Sequence, residues 1–137
     1  MILDAVATYL AANSTRLTVG VNLTKSFMPD TPDTVTTLYE TGGFSPLHAF
    51  TTGATTRIYE RPGLMVHGRS TNYQTVRATM EDVFTLLDGY NNADLPTSTG
   101  SRRYAGIDAA QSPFDIGQDS QGRHLVSVNF NVIKSTG

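Results

Sequence analysis

A chain of 137 residues with net charge −2, 39% apolar residues and no cysteine is long enough for one domain. A chain of that size buries roughly two-thirds of its unfolded surface without covalent staples. The missing cysteines exclude disulfide frameworks, cysteine-ligated zinc and thiol nucleophiles together. Ten Lys and Arg against twelve Asp and Glu argue against a dedicated phosphate-backbone binder, and charged residues at 16% against about 25% in ordinary domains leave a weakly charged surface.

Ile2, Val6, Tyr9 and Leu10 recur at helical spacing, so residues 2–13 read as a short amphipathic helix that Asn13-Ser14 stops. This N-terminal stretch carries Asp4 and lacks a basic segment, so it is not expected to be a secretion signal. No apolar run approaches the roughly 18–20 residues that span a bilayer. Leu17, Val19, Val21 and Leu23 alternate as a strand that could reach Phe27, before Met28-Pro29-Asp30-Thr31-Pro32-Asp33 breaks it. Thr34–Glu40 is rich in β-branched residues and reads as a second strand. Thr41–Thr56 mixes glycines, threonines and isolated apolar residues without a period and reads as a long loop. A third strand runs from Ile58 or Gly63 to Arg69, interrupted near Pro62.

Tyr73, Val76, Arg77, Met80, Val83, Phe84 and Leu87 make one face of a second helix, with Thr71 and Gln74 as a capping box and Gly89 as its stop. Asn91–Gly100 reads as another loop, and Arg103–Ala110 as a strand. Asp119-Ser120-Gln121-Gly122 is a turn sequence. From His124 to Lys134, Val126, Val128, Phe130 and Val132 share one face of a strand and Ser127, Asn129 and Asn131 the other. The expected fold is α+β in the order α-β-β-β-α-β-β. A largely antiparallel sheet of about four to five strands carries two helices on one face, all in a single domain over 1–137.

The residues offer little chemistry. His48, His67 and His124 lie far apart without metal-ligand spacing, so no metal is expected. No P-loop or G-x-G-x-x-G occurs, so no cofactor is expected either. A triad of His124, Asp115 and a serine can be drawn on paper, but no nucleophile elbow frames a serine. Asp30 and Asp33 flank prolines as turn residues, and Arg102-Arg103 reads as a surface pair. Pattern alone stops at a small α+β interaction protein.

Phe27-Met28-Pro29-Asp30-Thr31-Pro32-Asp33, Leu38-Tyr39-Glu40-Thr41-Gly42-Gly43 and Tyr59-Glu60-Arg61-Pro62-Gly63-Leu64-Met65-Val66 form an ordered set of motifs. Asn72-Tyr73, Gln111–Asp119, Gly122-Arg123 and Val128-Asn129-Phe130 follow. Together they resemble the tail terminator proteins of long-tailed bacteriophages, often labelled minor capsid proteins, over about residues 2–134. The resemblance implies a structural virion protein without catalytic residues, at the tail–neck junction and assembled in the host cytoplasm. Such a subunit closes into a hexameric homo-oligomeric ring on the tail tube protein, ends tube polymerisation and offers a surface to a head completion or neck protein. The genome would pass through the ring without specific nucleic-acid binding, and no membrane is involved.

Ser45–Thr56 and Asn91–Ser101 look longer than that pattern. The Thr41–Thr56 loop is expected to order only against a neighbour or the tube. The candidate subunit or tube contacts are Phe44, His48, Phe50, Arg57, Glu60 and Arg61, with Glu60 and Arg61 making intersubunit or loop-anchoring ion pairs.

Overall fold

The computed structural model describes residues 2–49, 56–97 and 100–135. Two helices, α1 (Ile2–Asn13) and α2 (Tyr73–Leu87), accompany seven strands: β1 (Leu23–Lys25), β2 (Val35–Ala49), β3 (Thr56–Ser70), β4 (Tyr90–Thr97), β5 (Gly100–Ala109), β6 (Phe114–Gln118) and β7 (His124–Ser135). The strands form one mixed sheet in the order β1-β2-β3-β7-β5-β4, with β6 beside β7. Among the described strands only the β1–β2 pair is parallel.

Alternation decides which face is packed. Leu38 stands opposite Val66, Val66 opposite Val128, and Leu64 opposite Phe130, and all are buried in one cluster with Val76, Met80 and Val83 of α2 and Val6 and Leu10 of α1. Both helices therefore cover the same face. α1 touches β1 and β2 at one end of the strand order and β4 at the other, so the sheet curls around it. That curl explains why Ile2, Leu3, Ala5, Val6, Ala7 and Leu10 are all buried in a single helix.

α2 starts where Asn72 Oδ1 accepts hydrogen bonds from the Gln74 and Thr75 amides at 2.9 and 3.3 Å. The cap is thus Asn72, one residue beyond the expected Thr71. The helix closes at Asp88, and Gly89 adopts the positive φ of +79° that an L side chain resists.

The strand expected over Leu17–Leu23 is mostly a turn. Asn22 Oδ1 accepts from the Thr18 amide at 2.7 Å and its side-chain amide donates to Arg16 O at 2.8 Å, folding the chain before β1 begins. The two expected loops are also corrected. Residues 41–49 and 56–57 belong to β2 and β3, and residues 90–97 and 100–102 belong to β4 and β5. Among the described residues the sheet has seven strands, above the four to five expected, because those segments pair and because β6, short and exposed throughout, has no alternation to betray it.

Gly68 of β3 lies under α2, where an added Cβ would come within 2.8 Å of Met80 Sδ and 2.9 Å of Val76 Cγ2. Gly68→Val is expected to force the helix off the sheet at a cost of about 1–3 kcal/mol. Chemical denaturation measures it, and a loss below about 0.5 kcal/mol contradicts this packing.

Candidate functional interface

The described residues offer contact surfaces at the two ends of the strands. At one end the β2–β3 hairpin, backed by β7, runs on past the helix-packed core, while β5 and β4 stay in that core through Tyr104 and Leu95. The rung Glu60–Lys134–Tyr104–Ala93 crosses β3, β7, β5 and β4 well beyond Leu64 and Phe130. The β2–β3 hairpin reaches furthest, to Ala49 opposite Thr56.

This arm is bent at glycines. The β2–β3 register shifts between Thr41 and Phe44 and again between Phe44 and Leu47. The strands pinch so closely there that a Cβ on Gly43 would sit 1.9 Å from Arg61 O. A bulge re-aims the side chain beside it, and here it leaves Phe44 62% exposed. The Arg61 guanidinium lies over the Phe44 ring, 5.5 Å from its centroid, and Nε donates to Ser45 O at 2.7 Å.

The six candidate contact residues separate as follows. Phe44 and Arg61 form that exposed pair on the arm. His48 and Arg57 are register partners in β2 and β3. Glu60 pairs with Lys134 of β7 at 2.8 Å, within the subunit. Phe50 lies outside the described residues. Arg61, expected in an anchoring ion pair, is held by a carbonyl and a ring, which do the same anchoring without a carboxylate.

At the opposite end the segment 29–33 crosses the helix-free side of the sheet as a strap. Its prolines lack N–H groups and its carbonyls have no ladder to accept from, so donors must come from elsewhere. Two arginines supply them. Arg69, 5% exposed, donates to the carbonyls of Pro29, Pro32 and Asp33 at 2.6, 2.8 and 3.1 Å. Arg123, also 5% exposed, donates to Asp30 O at 2.8 Å and pairs with Asp119, Asp30 and Asp33 at 2.7, 3.0 and 3.3 Å. Burial alone raises the Asp119 carboxyl pKa, but hydrogen bonds from the Arg123 and Gln121 amides and from the Arg123 guanidinium outweigh it and hold the carboxyl below its ordinary value. Arg123 is pushed the other way, above its ordinary value, because Asp119 and Asp30 outweigh its desolvation.

No sequence signal links Arg69, Arg123 and the strap, since Arg123 lies 93 positions from Asp30. The Pro and Asp composition of 29–33 reads as a simple turn, although Asp-rich proline turns beside a buried arginine are a cue in hindsight.

His67 and His124 sit on opposite faces. His67 meets the Tyr39 ring on the helix-free side, and His124 meets Tyr73 at the start of α2. Burial lowers the pKa of His67. Asp115 Oδ1 accepts from the Gly117 amide at 2.8 Å, so it serves the β6 bulge. Among the described residues no group of His, Asp or Glu is arranged to hold a metal ion, and no helix is long and apolar enough to cross a membrane. An open depression beside the end of α1, lined by Asn13, Ser14, Thr15, Asp82, Thr85 and Leu86, is bordered by the Arg16–Asp82 ion pair.

A family model described as bacteriophage tail terminator protein matches residues 9–136. In fold the chain is similar to one in a structure described as the virion of a native gene transfer agent particle. The TM-score is 0.67 at 17% identity, covering 98% of this chain and 94% of the other. No curated protein matches the sequence.

Because the folded pKa of Asp119 lies below its unfolded value of about 3.9, its contribution to stability is complete above that pH and is lost as the pH falls through the folded value. Asp119→Asn is expected to lower the melting temperature at pH 7 and to flatten its fall below about pH 4. Arg123→Met is expected to raise hydrogen exchange and proteolysis across 29–33 first. Unchanged protection of the strap in that variant contradicts the clamp.

Proposed function

Since the chain belongs to the bacteriophage tail terminator family, a family of structural virion proteins and not of enzymes, we propose that it closes into a hexameric ring on the last ring of the tail tube. There it ends tube polymerisation and presents its other surface to the head completion or neck protein. This places it at the tail–neck junction of the particle, assembled in the host cytoplasm, with the genome passing through the ring without sequence-specific contact.

The observation that carries the reading is the hairpin end, where the β2–β3 hairpin, backed by β7, runs on past the helix-packed core and exposes Phe44 over Arg61. A rigid sheet end of this kind suits docking on the strand-rich end of a tube. Phe44 and Arg61, with His48, Arg57 and Glu60 on the same arm and Phe50 next in sequence to Ala49, are the proposed contacts to the tube or to the neighbouring subunit.

Ring closure is supported by a second pattern. Leu23, Thr36, Gly68, Val126 and Asp115 form one rung across β1, β2, β3, β7 and β6. Four strand spacings separate its ends by about 19 Å. Beside the β1 end lie Val21 and Phe27, 63% and 70% exposed, and on β6 lie Phe114 and Ile116, 38% and 42% exposed. A ring needs two different patches on one subunit that meet head to tail, and these lie on opposite sides of the sheet.

Electron microscopy of lysates from a particle deleted for this gene tests the function. Overlong, headless tubes beside filled, tailless heads are expected. Tails of normal length that fail to join heads would instead identify a neck connector, and normal infectious particles would contradict both. Phe27→Ser is expected to leave the melting temperature unchanged, because the ring is exposed, yet to cut infectious particles roughly tenfold or more as an interface anchor is lost. Full infectivity of that variant would remove Phe27 from the ring contact.

A further inference from the structure

Charge is distributed unevenly along the strand direction. The hairpin end carries Arg57, Arg61, Arg102, Arg103 and Lys134 against Glu60 and Asp94, a surplus of positive charge in a chain whose net charge is −2. Both acids are matched inside that end: Glu60 pairs with Lys134, and Asp94 stands opposite Arg103 in the β4–β5 ladder. At the strap end Asp30, Asp33, Asp115 and Asp119 outnumber Arg69 and Arg123. Both of those arginines are buried, whereas the Asp30 and Asp33 side chains are 72% and 59% exposed. The strap end therefore shows solvent an acidic surface.

Arg57 and Arg69 stand at opposite ends of β3, which puts up to about 40 Å of strand between the two signs. The Debye length at physiological salt is about 8 Å. Each end therefore presents its own sign to a partner, and the subunit's net charge hides a dipole along the strands.

We propose that the hairpin end docks on an acidic protein surface, the rim of the last tail-tube ring, with Arg57 and Arg61 as its charged anchors. This rests on the tube-capping reading and adds the chemistry of the partner and the orientation of the subunit. A protein surface fits better than nucleic acid. Acids interrupt the basic end, the opposite end is acidic, and Arg61 lies over an exposed aromatic ring. Arginine and aromatic side chains are the residues enriched at protein interfaces.

The test is co-sedimentation of the full-length protein with tail tubes assembled from the encoding particle's purified tube protein. Binding is expected to weaken at least about tenfold between about 0.05 and 0.5 M salt. The Arg57→Glu/Arg61→Glu double variant, checked for an unchanged melting temperature, is expected to bind about tenfold or more weakly at low salt. Arg57→Glu/Arg102→Glu gives a second reversal that leaves the Phe44–Arg61 contact intact, with the same expected loss.

Arg57→Lys keeps the charge without touching the Phe44–Arg61 contact and should stay within about threefold of the unchanged chain. Ser120→Lys, at an exposed turn position of the other end, should bind normally. Salt-independent binding, or normal binding by both double variants, overturns the charged docking while leaving the tube-capping reading in place. Duplex DNA bound as tightly as tubes would overturn it in favour of a nucleic-acid partner, and pelleting without tubes in favour of a second copy of this chain. No binding to tubes at any salt would remove the docking and the tube-capping reading together.

Discussion

The structure is organised by β7, which is shared by three strands. β3 pairs with it along almost its whole length, while its other edge takes β5 over Tyr104–Ala109 and then β6. Its inward residues Val126, Val128, Phe130 and Val132 are each no more than 1% exposed. One strand therefore anchors the helix-packed core at one end and stiffens the projecting hairpin at the other. A β2–β3 hairpin alone would be marginal in water, and backing by β7 as far as Tyr59 opposite Ser135 makes it part of a sheet.

The two ends of that sheet are built from different physics. The hairpin end is ladder, with its backbone groups satisfied strand to strand and its exposed aromatic aimed by bulges. The strap end is irregular backbone whose carbonyls are satisfied by two buried guanidinium groups. Five fixed donors on a planar fork suit a turn that presents carbonyls at several angles, and lysine would not reproduce this. The same arginines neutralise part of the Asp30, Asp33 and Asp119 cluster, which lets an acidic surface sit on a buried base.

Elements with a clean period were legible in the sequence. α2 follows from apolar spacing between Tyr73 and Leu87, and β7 from the alternation after His124. The arms were not legible, because Gly42, Gly43, Pro62 and Gly63 and the register shifts around Phe44 erase the two-residue period that marks a strand. β1 shrank to three residues because Asn22 satisfies Thr18 and Arg16 locally. Of the candidate contacts, Phe44 and Arg61 meet directly, but Glu60 turns to Lys134 inside the subunit. The arginine clamp was invisible because it joins segments far apart in the chain, and only folding brings Arg69 and Arg123 to one strap. The family was legible because short motifs such as 27–33 and 59–66 keep their order, and these are the strap and the pinched arm.

The most direct measurement is a cryo-electron microscopy reconstruction of the head-proximal end of intact tails, resolved well enough to trace strands. A single ring of this chain beyond the last tube ring is expected, with the β2–β3 and β4–β5 hairpins facing the tube and the strap with Asp30 and Asp33 facing away. A ring seated with the strap against the tube, or a tail end without this chain, would contradict the hairpin-first capping of the tube.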